Sequence, residues 1–434
     1  MDDQGAVRRD VLSGPSPTGS NWAGNVSFWA TGVHTPRSVE ELQLLVTRGD
    51  PLRAVGSRHS FTRIADTTGH QVSMTALPRV LEVDSATRSV RVCAGLRYGD
   101  LAGALSQAGL ALPNLGSLPH ISVAGSCATG THGSGMRNPV LSAGVGSLTM
   151  VTAGGDLLRV DRESHGEDYA GFVIALGRLG IVTELVLDLV PAFEVAQTVV
   201  EDVAEEVAVE QLPAILAAAY SVSIFTDWRS ERVQVWVKEQ LGRTDGWSGR
   251  PLWGGRLADG PRHPIAGMPT QNATTQLGIP GPWSERLPHF RLDFTPSSGK
   301  ELQSEYVVPM TRAAEAWQAL GVVRERIARV LQVSEVRAIA ADDLWLSPTG
   351  GSPSVAFHFT WIPDTEAVLP VVAAVEQQLA PLGARPHWGK VFSTPPSALA
   401  DLYPRMDDFR RLVTTLDPTG VFGNELVDTW IGLR

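Results

Sequence analysis

Three short segments in the second half of the chain place ionisable side chains where an apolar strand pattern would otherwise continue. They are residues 334–339, 354–361 and 385–390. Because side chains alternate between the two faces of a strand, Glu335 and Arg337 share one face of the first segment. By the same rule, His358 and Thr360 share one face of the second. The third segment adds Lys390. A lysine beside an arginine in a partly dry pocket should have a lowered pKa, and the cationic pair could stabilise negative charge that develops on a hydroxyl oxygen.

A fourth candidate is a histidine in the first half of the chain. Residues 53–61 are predicted to form a short apolar strand followed by a Gly-Ser turn. The turn would hold His59 in a fixed position. A neutral imidazole is nucleophilic near neutral pH, so His59 could form a covalent bond; a loop histidine that caps a turn is the alternative. Two glycine-rich segments follow, at residues 116–120 and 123–135.

The turn around His59 and the two glycine-rich segments together resemble the flavin site of the vanillyl-alcohol-oxidase family of FAD-linked oxidases. The resemblance implies an α+β protein of two domains, a PCMH-type FAD-binding domain and an α+β substrate domain that caps it. It also implies that a ring nitrogen of His59 binds the 8α-methyl group of FAD covalently, with Nδ1 favoured over Nε2. The positions that match the family's cofactor contacts are Val55, Gly56, Ser57, Arg58, His59, Ser60, Ser117, Ser122, Gly125, Ala128, Thr129, Gly130, His132, Gly133, Gly180, Ile181, Val182, His387 and Asn424.

The substrate-side segments, in the order E-x-R, H-F-T and H-W-G-K, are similar to the substrate site of the alditol oxidases, also called xylitol oxidases. Residues 341–348 and 21–25 add to this similarity, which spans nearly the whole chain. Taken alone, each segment also fits a structural role: a salt bridge, a core histidine or a solvated lysine. The substrate contacts that the similarity implies are Ser117, Glu335, Arg337, His358, Thr360 and Lys390.

The similarity implies oxidation of the terminal C1 hydroxyl of an alditol such as xylitol or sorbitol to the aldose, by hydride transfer to flavin N5, with O₂ reduced to H₂O₂. The implied catalytic residues are Arg337, Lys390 and Glu335. Lys390 is the expected base, and Glu335 is expected to bind a hydroxyl and to hold Lys390 in place. Gly116, which lacks a side chain just before Ser117, is expected to admit oxygen. Aldonolactone oxidases and dehydrogenases of the gulono- and arabinono-lactone type share E-x-R and H-W-G-K and stay the alternative.

Charge and absent motifs argue against several other classes of protein. A net charge of −10 and a pI near 5.5 disfavour binding to nucleic acid or to an anionic membrane surface. The chain has no G-x-G-x-x-G that opens a βαβ unit, no G-x-S-x-G and no H-E-x-x-H, so an ordinary nicotinamide, hydrolase or metal site lacks its fingerprint. A noncatalytic carbohydrate-binding protein would explain twelve tryptophans but not His59 in its turn.

The length and composition indicate the framework that must position these residues. A chain of 434 residues with 43% hydrophobic residues and a mean hydropathy of zero predicts a soluble globular protein with two domains. We expect an FAD-binding domain over residues 12–191, a substrate-binding domain over 192–400 and a segment, 401–434, that returns to the first domain. The insert at 241–300, rich in Gly, Pro and Trp, is expected to cover the site as a lid.

Hydrophobic alternation and end signals predict the individual elements. Strands are predicted over 52–56, 80–83, 89–94, 146–152, 157–160, 181–190, 222–227, 232–238, 334–340 and 354–361. Helices are predicted over 38–47, 98–108, 212–220, 312–331 and 365–382, the first capped by Ser38 and the second stopped by Gly109. Cys93 and Cys127 are expected to be buried free thiols in a reducing compartment. No apolar segment follows the basic N-terminus, so we expect a cytoplasmic protein, and a monomer.

Overall fold

The first half of the chain is built from short strands and helices. The computed structural model describes residues 18–243, 247–294, 297 and 299–434, so the expected domain start at residue 12 lies outside them. The strands are β1 Gly32–His34, β2 Leu52–Ala54, β3 His70–Val72, β4 Leu81–Asp84, β5 Ser89–Cys93, β6 Leu110–Ala111, β7 Val145–Val151, β8 Leu157–Asp161, β9 Ile181–Asp188 and β10 Val190–Pro191. The helices are α1 Val39–Val46, α2 Tyr98–Gln107, α3 Val123–Ala128, α4 Arg162–His165 and α5 Tyr169–Val173.

These strands form a parallel sheet of order β1-β3-β2, an antiparallel sheet of order β4-β5-β9-β7-β8 and a separate β6–β10 pair. The strands predicted in this half are confirmed to within two residues at each end, because short alternating segments between turns carry a clear period-two signal. Ser38 caps α1 by accepting a hydrogen bond from the backbone N of Glu41 at 3.3 Å. Gly109 follows α2 with a left-handed φ of 68°, as expected of a residue that stops a helix.

The second half of the chain is dominated by one large sheet. Its strands are β11 Glu194–Ala204, β12 Ser221–Thr226, β13 Arg232–Gln240, β14 Arg256–Leu257, β15 Pro280–Pro282, β16 Leu302–Pro309, β17 Leu331–Ile339, β18 Ser354–Trp361 and β19 Arg385–Pro386. The helices are α6 Glu205–Glu210, α7 Leu212–Leu216, α8 Trp283–Arg286, α9 Ala313–Gly321, α10 Arg324–Val330 and α11 Thr365–Leu379. The strand order is β14-β11-β13-β12-β17-β18-β16-β19, and β15 pairs with β11.

The two faces of this sheet differ in the way the alternation predicts. The apolar residues of β17 and β18, among them Val336, Phe357 and Phe359, lie in a buried core that includes Trp317 of α9 and Val372 of α11. The polar residues of the same strands point to the opposite face. The large sheet is therefore covered by helices on one side and offers a polar surface on the other.

The predicted helix over 312–331 is wrong in its extent. The chain forms two helices, α9 and α10, and Leu331 already belongs to β17. The break falls at Gly321, Val322 and Val323, where a glycine and two β-branched residues weaken the helix. Val322 is 77% exposed at this corner, so no packing compensates for the break.

The last part of the chain packs against the first half. It contains α12 Pro396–Leu402, α13 Met406–Leu416 and α14 Glu425–Trp430, and Phe409, Val413 and Trp430 belong to the core of the first half. The buried guanidinium of Arg178 binds two carboxylates of this segment, at 2.5 Å for Asp417 and 2.6 Å for Asp428. The domain boundaries at 191/192 and 400/401 stay a prediction.

Cys93 and Cys127 are buried and unpaired, as predicted. Burial raises the pKa of the Cys127 thiol to about 11, so it is a poor nucleophile near neutral pH. Within the part of the chain that the structure describes, no helix is long and apolar enough to cross a membrane.

Candidate active site

A cavity of about 630 Å³ is lined by both halves of the chain. This volume is typical of cofactor and ligand sites. One end is formed by loops of the first half, and we call it the loop end; it includes the turn after β2 and residues around α3. The other end, which we call the charged end, is formed by the polar face of β16, β17 and β18 together with the segment after β19.

Close packing between two turns shapes the loop end. A Cβ on Gly56 would lie 2.2 Å from Ser122 Oγ, so any larger residue there would displace the Ser122 side chain. The backbone N of Ser122 donates a hydrogen bond to Ser57 Oγ at 3.1 Å. Arg58 has a left-handed φ of 62°, an uncommon conformation for a side chain of this size. The turn is therefore held in one shape, and the next residue, His59, faces the cavity from a fixed position.

The imidazole of His59 is half-buried and stacks on the ring of Trp22, with 5.0 Å between ring centroids and 29° between planes. Burial, together with a smaller effect of the nearby His120, lowers the pKa of His59 to about 4. The ring is therefore neutral at neutral pH and keeps the lone pair that a nucleophile needs.

Most of the predicted cofactor positions lie together on the cavity wall. They are Val55, Gly56, Ser57, Arg58, His59, Ser60, Ser117, Ser122, Gly125, Ala128, Thr129, His132, Gly180, Val182 and His387, and the predicted oxygen position Gly116 lies among them. A Cβ on Gly116 would have ordinary contacts, the nearest at 3.6 Å from Ile121 Cδ1. Unlike Gly56, Gly116 is not required by the packing of the protein.

Four predicted cofactor positions lie away from the described wall of the cavity: Gly130, Gly133, Ile181 and Asn424. Ile181 is buried in the core through β9. The side chain of Asn424 is used within the protein. Its Nδ2 donates to the carbonyl oxygens of Arg63 and Asp66, and its Oδ1 caps α14 by accepting from Val427 N. Asn424 therefore ties the C-terminal segment to the first half with both of its amide N–H groups, and its role as a cofactor contact stays a prediction.

At the charged end, the central group is a carboxylate that the sequence analysis missed. Glu305, on β16, is 1% exposed. Its Oε2 accepts a hydrogen bond from Lys390 Nζ at 2.5 Å, and its Oε1 accepts one from Arg337 Nη2 at 2.9 Å. His132 Nε2 lies 3.3 Å from the same Oε1. Burial alone would raise the pKa of Glu305, but the charges of Lys390 and Arg337 hold it well below its usual range.

Lys390 sits between two acceptors. Besides Glu305, its Nζ lies 2.7 Å from His358 Nδ1, and His358 Nε2 lies 3.2 Å from Thr360 Oγ1. Burial lowers the pKa of Lys390 against the opposing pull of Glu305, and burial lowers that of His358 to about 4. The expected lowering of the lysine pKa is confirmed in direction, with burial as the larger cause and Arg337 as a smaller one.

Arg337 connects the two ends of the cavity. Its Nη1 donates to Ser117 Oγ, on the loop before α3, at 3.0 Å, and lies 3.7 Å from Glu335 Oε2. The buried Nε of Arg337 has no hydrogen-bond partner among the described residues. Buried polar atoms rarely stay unpaired, so a ligand in the cavity is a fitting partner for this donor.

The expectation that Glu335 holds Lys390 is wrong. Glu335 instead binds His289 Nε2 at 2.9 Å, and Glu305 holds Lys390. The sequence could have identified Glu305, because the alternation used for β17 also places Gln303 and Glu305 on one face of β16. Both residues line the cavity. No comparable signal marks His289, which lies in the irregular insert.

The described part of the insert forms one wall of the cavity. Pro264, Ile265, His289 and Phe290 line it, and the strands β14 and β15 attach the insert to the edge strand β11. This position is consistent with the predicted lid.

The loop end fits FAD. Glycines without room for a Cβ, the hydroxyls of Ser57 and Thr129 on the cavity wall, and a neutral histidine offer close backbone approach, hydrogen bonds and a nucleophile to one large cofactor. Within the described ranges, no cluster of three or more His, Cys, Asp or Glu side chains could hold a metal ion.

Comparisons with known proteins agree with this fit. An FAD-binding domain model matches residues 30–161, and a D-arabinono-1,4-lactone oxidase model matches residues 297–430. Alditol oxidase of a Streptomyces species is 49% identical over 93% of this chain and 97% of its own length. L-gulono-1,4-lactone dehydrogenase of Mycobacterium tuberculosis is 32% identical over 96% and 100%. Cholesterol oxidase of Brevibacterium sterolicum, at 16% identity, superposes with a TM-score of 0.78 over 97% and 98% of the two chains and shows the fold alone.

The fold and the cofactor domain define a flavoprotein oxidoreductase with a PCMH-type, two-domain α+β architecture that binds FAD. The high identity over almost the full length places the chain within that class. It belongs to the FAD-linked oxidase family, in the branch that contains alditol oxidase.

Proposed function

We propose that this protein oxidises the terminal C1 hydroxyl of an alditol such as xylitol or sorbitol to the aldose, with FAD bound covalently through His59 and O₂ reduced to H₂O₂. The observation that carries the proposal is the hydrogen-bonded group of Glu305, Lys390 and Arg337 on the same cavity as His59. The relative with 49% identity, an alditol oxidase, supports it. The cytoplasmic location and the monomeric state belong to the proposal and rest on composition.

Bound FAD would supply the hydride acceptor, at its N5 atom. The task of the protein is then to bind the alditol and to remove the proton of the C1 hydroxyl. Burial favours the neutral amine of Lys390, whose two N–H groups can donate to Glu305 and His358, both within hydrogen-bond distance of Nζ, which leaves its lone pair free to accept a proton. Lys390 can therefore take the hydroxyl proton, and the positive charge of Arg337 stabilises the developing alkoxide.

The remaining polar groups suit the other hydroxyls of a polyol. Ser117, Thr360 and His358 offer hydroxyl or ring nitrogen atoms, and Glu335 offers a carboxylate. A buried polar group left without a partner costs free energy, so such a site discriminates against analogues that lack a hydroxyl. Gly116, where a side chain would have room, is the proposed route of oxygen to the flavin.

The alternative function is oxidation of an aldonolactone. The match of residues 297–430 to the D-arabinono-1,4-lactone oxidase model favours it, because that part of the chain carries Glu305, Glu335, Arg337 and Lys390. The two functions share the cofactor and differ in the substrate, so a comparison of substrates separates them.

The test is an aerobic peroxide assay on the purified protein with xylitol, sorbitol and L-gulono-1,4-lactone. The proposal expects peroxide from the alditols. Turnover of the lactone alone would move the assignment to the alternative, and turnover without peroxide would indicate a dehydrogenase. Acid precipitation tests the covalent link, since the flavin should stay in the wild-type pellet and pass into the supernatant of the matched His59→Ala variant.

A further inference from the structure

The chain has three lysines, Lys238, Lys300 and Lys390, against thirty-three arginines. Lys238 is buried and Lys390 is partly buried, with 13% of its side chain exposed, and both lie beside the charged end of the cavity. Lys390 has a role in the proposed function, whereas Lys238, on β13 and 1% exposed, has none so far. A buried ammonium group is costly unless every N–H finds an acceptor, so its partners indicate what it does.

Lys238 Nζ has three acceptors, all in the insert. It donates to the carbonyl oxygen of Leu287, to that of Pro288 at 3.1 Å and to His289 Nδ1 at 3.3 Å. Burial lowers the pKa of Lys238 to about 7, and the three acceptors match the three N–H groups of its ammonium form. Lys238 therefore fixes the backbone just before His289 and one nitrogen of its ring.

The other nitrogen of His289 faces a carboxylate. Burial alone would raise the pKa of Glu335, but Arg337 and His289 hold it well below its usual range, so Glu335 is ionised and can only accept. Burial lowers the pKa of His289 to about 4, so the ring is neutral and carries one proton. That proton must lie on Nε2, which is 2.9 Å from Glu335 Oε1, and Nδ1 accepts from Lys238.

His289 also closes a ring of contacts around the cavity. Its backbone N donates to the carbonyl oxygen of Ser117 at 3.1 Å, while Ser117 Oγ accepts from Arg337 Nη1. Arg337 lies beside Glu335, and Glu335 in turn accepts the hydrogen bond from the imidazole of His289. This circuit of contacts joins the loop end, the strand β17 and the insert. Phe225 and Trp236 pack edgewise on the imidazole of His289, at 5.4 and 5.7 Å between centroids.

We propose that His289 is a positioning residue that holds the carboxylate of Glu335 toward a hydroxyl of the substrate, and that Lys238 holds His289 in the tautomer that does so. The inference rests on the proposed function, because Glu335 needs a polyol hydroxyl to bind. Without His289, the carboxylate loses its partner and can turn toward Arg337. Binding of the substrate then weakens, whereas proton removal by Lys390 continues.

The experiment compares His289→Leu, His289→Gln and Lys238→Met with wild type, by steady-state kinetics on xylitol at saturating oxygen. The Nε2–H of glutamine can replace the imidazole donor, and leucine cannot. We expect KM to rise about tenfold in His289→Leu and in Lys238→Met, with kcat within about threefold of wild type, and His289→Gln to restore most of the loss.

His263→Gln is the matched control, because His263 is a buried histidine of the same insert that packs on Phe290 and, among the described residues, forms hydrogen bonds only with Ile265. Its KM should equal that of wild type. A wild-type KM in His289→Leu, or equal KM values for the Leu and Gln variants, would overturn the proposal. Loss of kcat and of bound flavin together would show a merely structural role and overturn it as well. Failure of the proposed function is seen separately, as wild-type protein that does not oxidise xylitol.

Discussion

The two ends of the cavity recognise their ligands by different physical means. The loop end consists of turns in which packing permits only glycine at some positions, and its wall offers backbone, hydroxyls and a neutral His59. The charged end is carried by three adjacent strands and the segment after β19, and it contains ionised groups packed against one another around Glu305 and Glu335. Ligand recognition therefore depends mainly on the shape of the wall at the loop end and on electrostatic interactions at the charged end. A single substitution at the charged end leaves a buried charge unpaired, whereas at the loop end it changes mainly the available space.

The largest effect should follow from Lys390→Met at the charged end. Loss of the proposed base should slow reduction of the flavin by an alditol by about 10²- to 10⁴-fold, measured anaerobically by stopped-flow absorbance. Lys300→Met, at the third lysine of the chain, is the control and should keep the wild-type rate. If Lys390→Met also kept the wild-type rate, Lys390 would not be the base.

A second prediction separates the two buried carboxylates. Glu305→Gln leaves Lys390 and Arg337 without their shared anion, so kcat should fall by roughly 10- to 100-fold and the free energy of unfolding by about 3–5 kcal/mol. Glu335→Gln should raise KM about tenfold and change kcat less, since Glu335 does not contact Lys390. Steady-state kinetics with thermal unfolding checks both. If both variants changed kcat and KM in the same proportion, Glu305 and Glu335 would not have the separate roles predicted here.

At the loop end, Gly116→Ala should act on oxygen alone. The added Cβ has ordinary contacts, so the variant should fold and its flavin should be reduced at the wild-type rate. Reoxidation of the reduced flavin by O₂ should slow about tenfold, as measured by mixing the reduced protein with aerated buffer. Gly103→Ala, on the helix α2 with open space around its Cβ position, serves as a control. Unchanged reoxidation in Gly116→Ala would exclude this oxygen route.

The smallest effect concerns the pH dependence of flavin attachment at His59. An imidazole with the ordinary pKa of about 6.5 gains about fourfold in its neutral fraction between pH 6 and pH 8. Burial lowers the pKa of His59 to about 4, so the ring is already neutral at pH 6, and protonation sets in only as the pH falls toward 4. Attachment to flavin-free protein mixed with FAD, followed as acid-stable flavin, should therefore change by less than about twofold. A fourfold rise across this range would show an unshifted histidine.

Periodic segments were predictable from the sequence, and irregular ones were not. The alternation in β17 and β18 placed Glu335, Arg337, His358 and Thr360 on the cavity face, because a strand has a fixed period of two. The same rule applied to β16 would have found Glu305. His289 acts from an irregular insert, where the position of a side chain depends on distant contacts that a local pattern does not contain.

A family resemblance gives the position of a residue but not every contact that its side chain makes. His59 faces the cavity as expected. Asn424 matched a cofactor position, but the structure uses its amide to cap α14 and to bind the carbonyl oxygens of Arg63 and Asp66. A motif letter does not distinguish these two uses, because both require the same amide group.

The most direct test of the central claim, that the charged end binds an alditol beside the flavin, is anaerobic mixing of the purified protein with xylitol while the flavin absorbance is recorded. If the charged end binds an alditol in this way, the flavin should bleach completely at a rate that saturates with xylitol concentration, and more slowly or not at all with L-gulono-1,4-lactone. An oxidised flavin that stays unchanged at high xylitol concentration, together with rapid bleaching by the lactone, would contradict it.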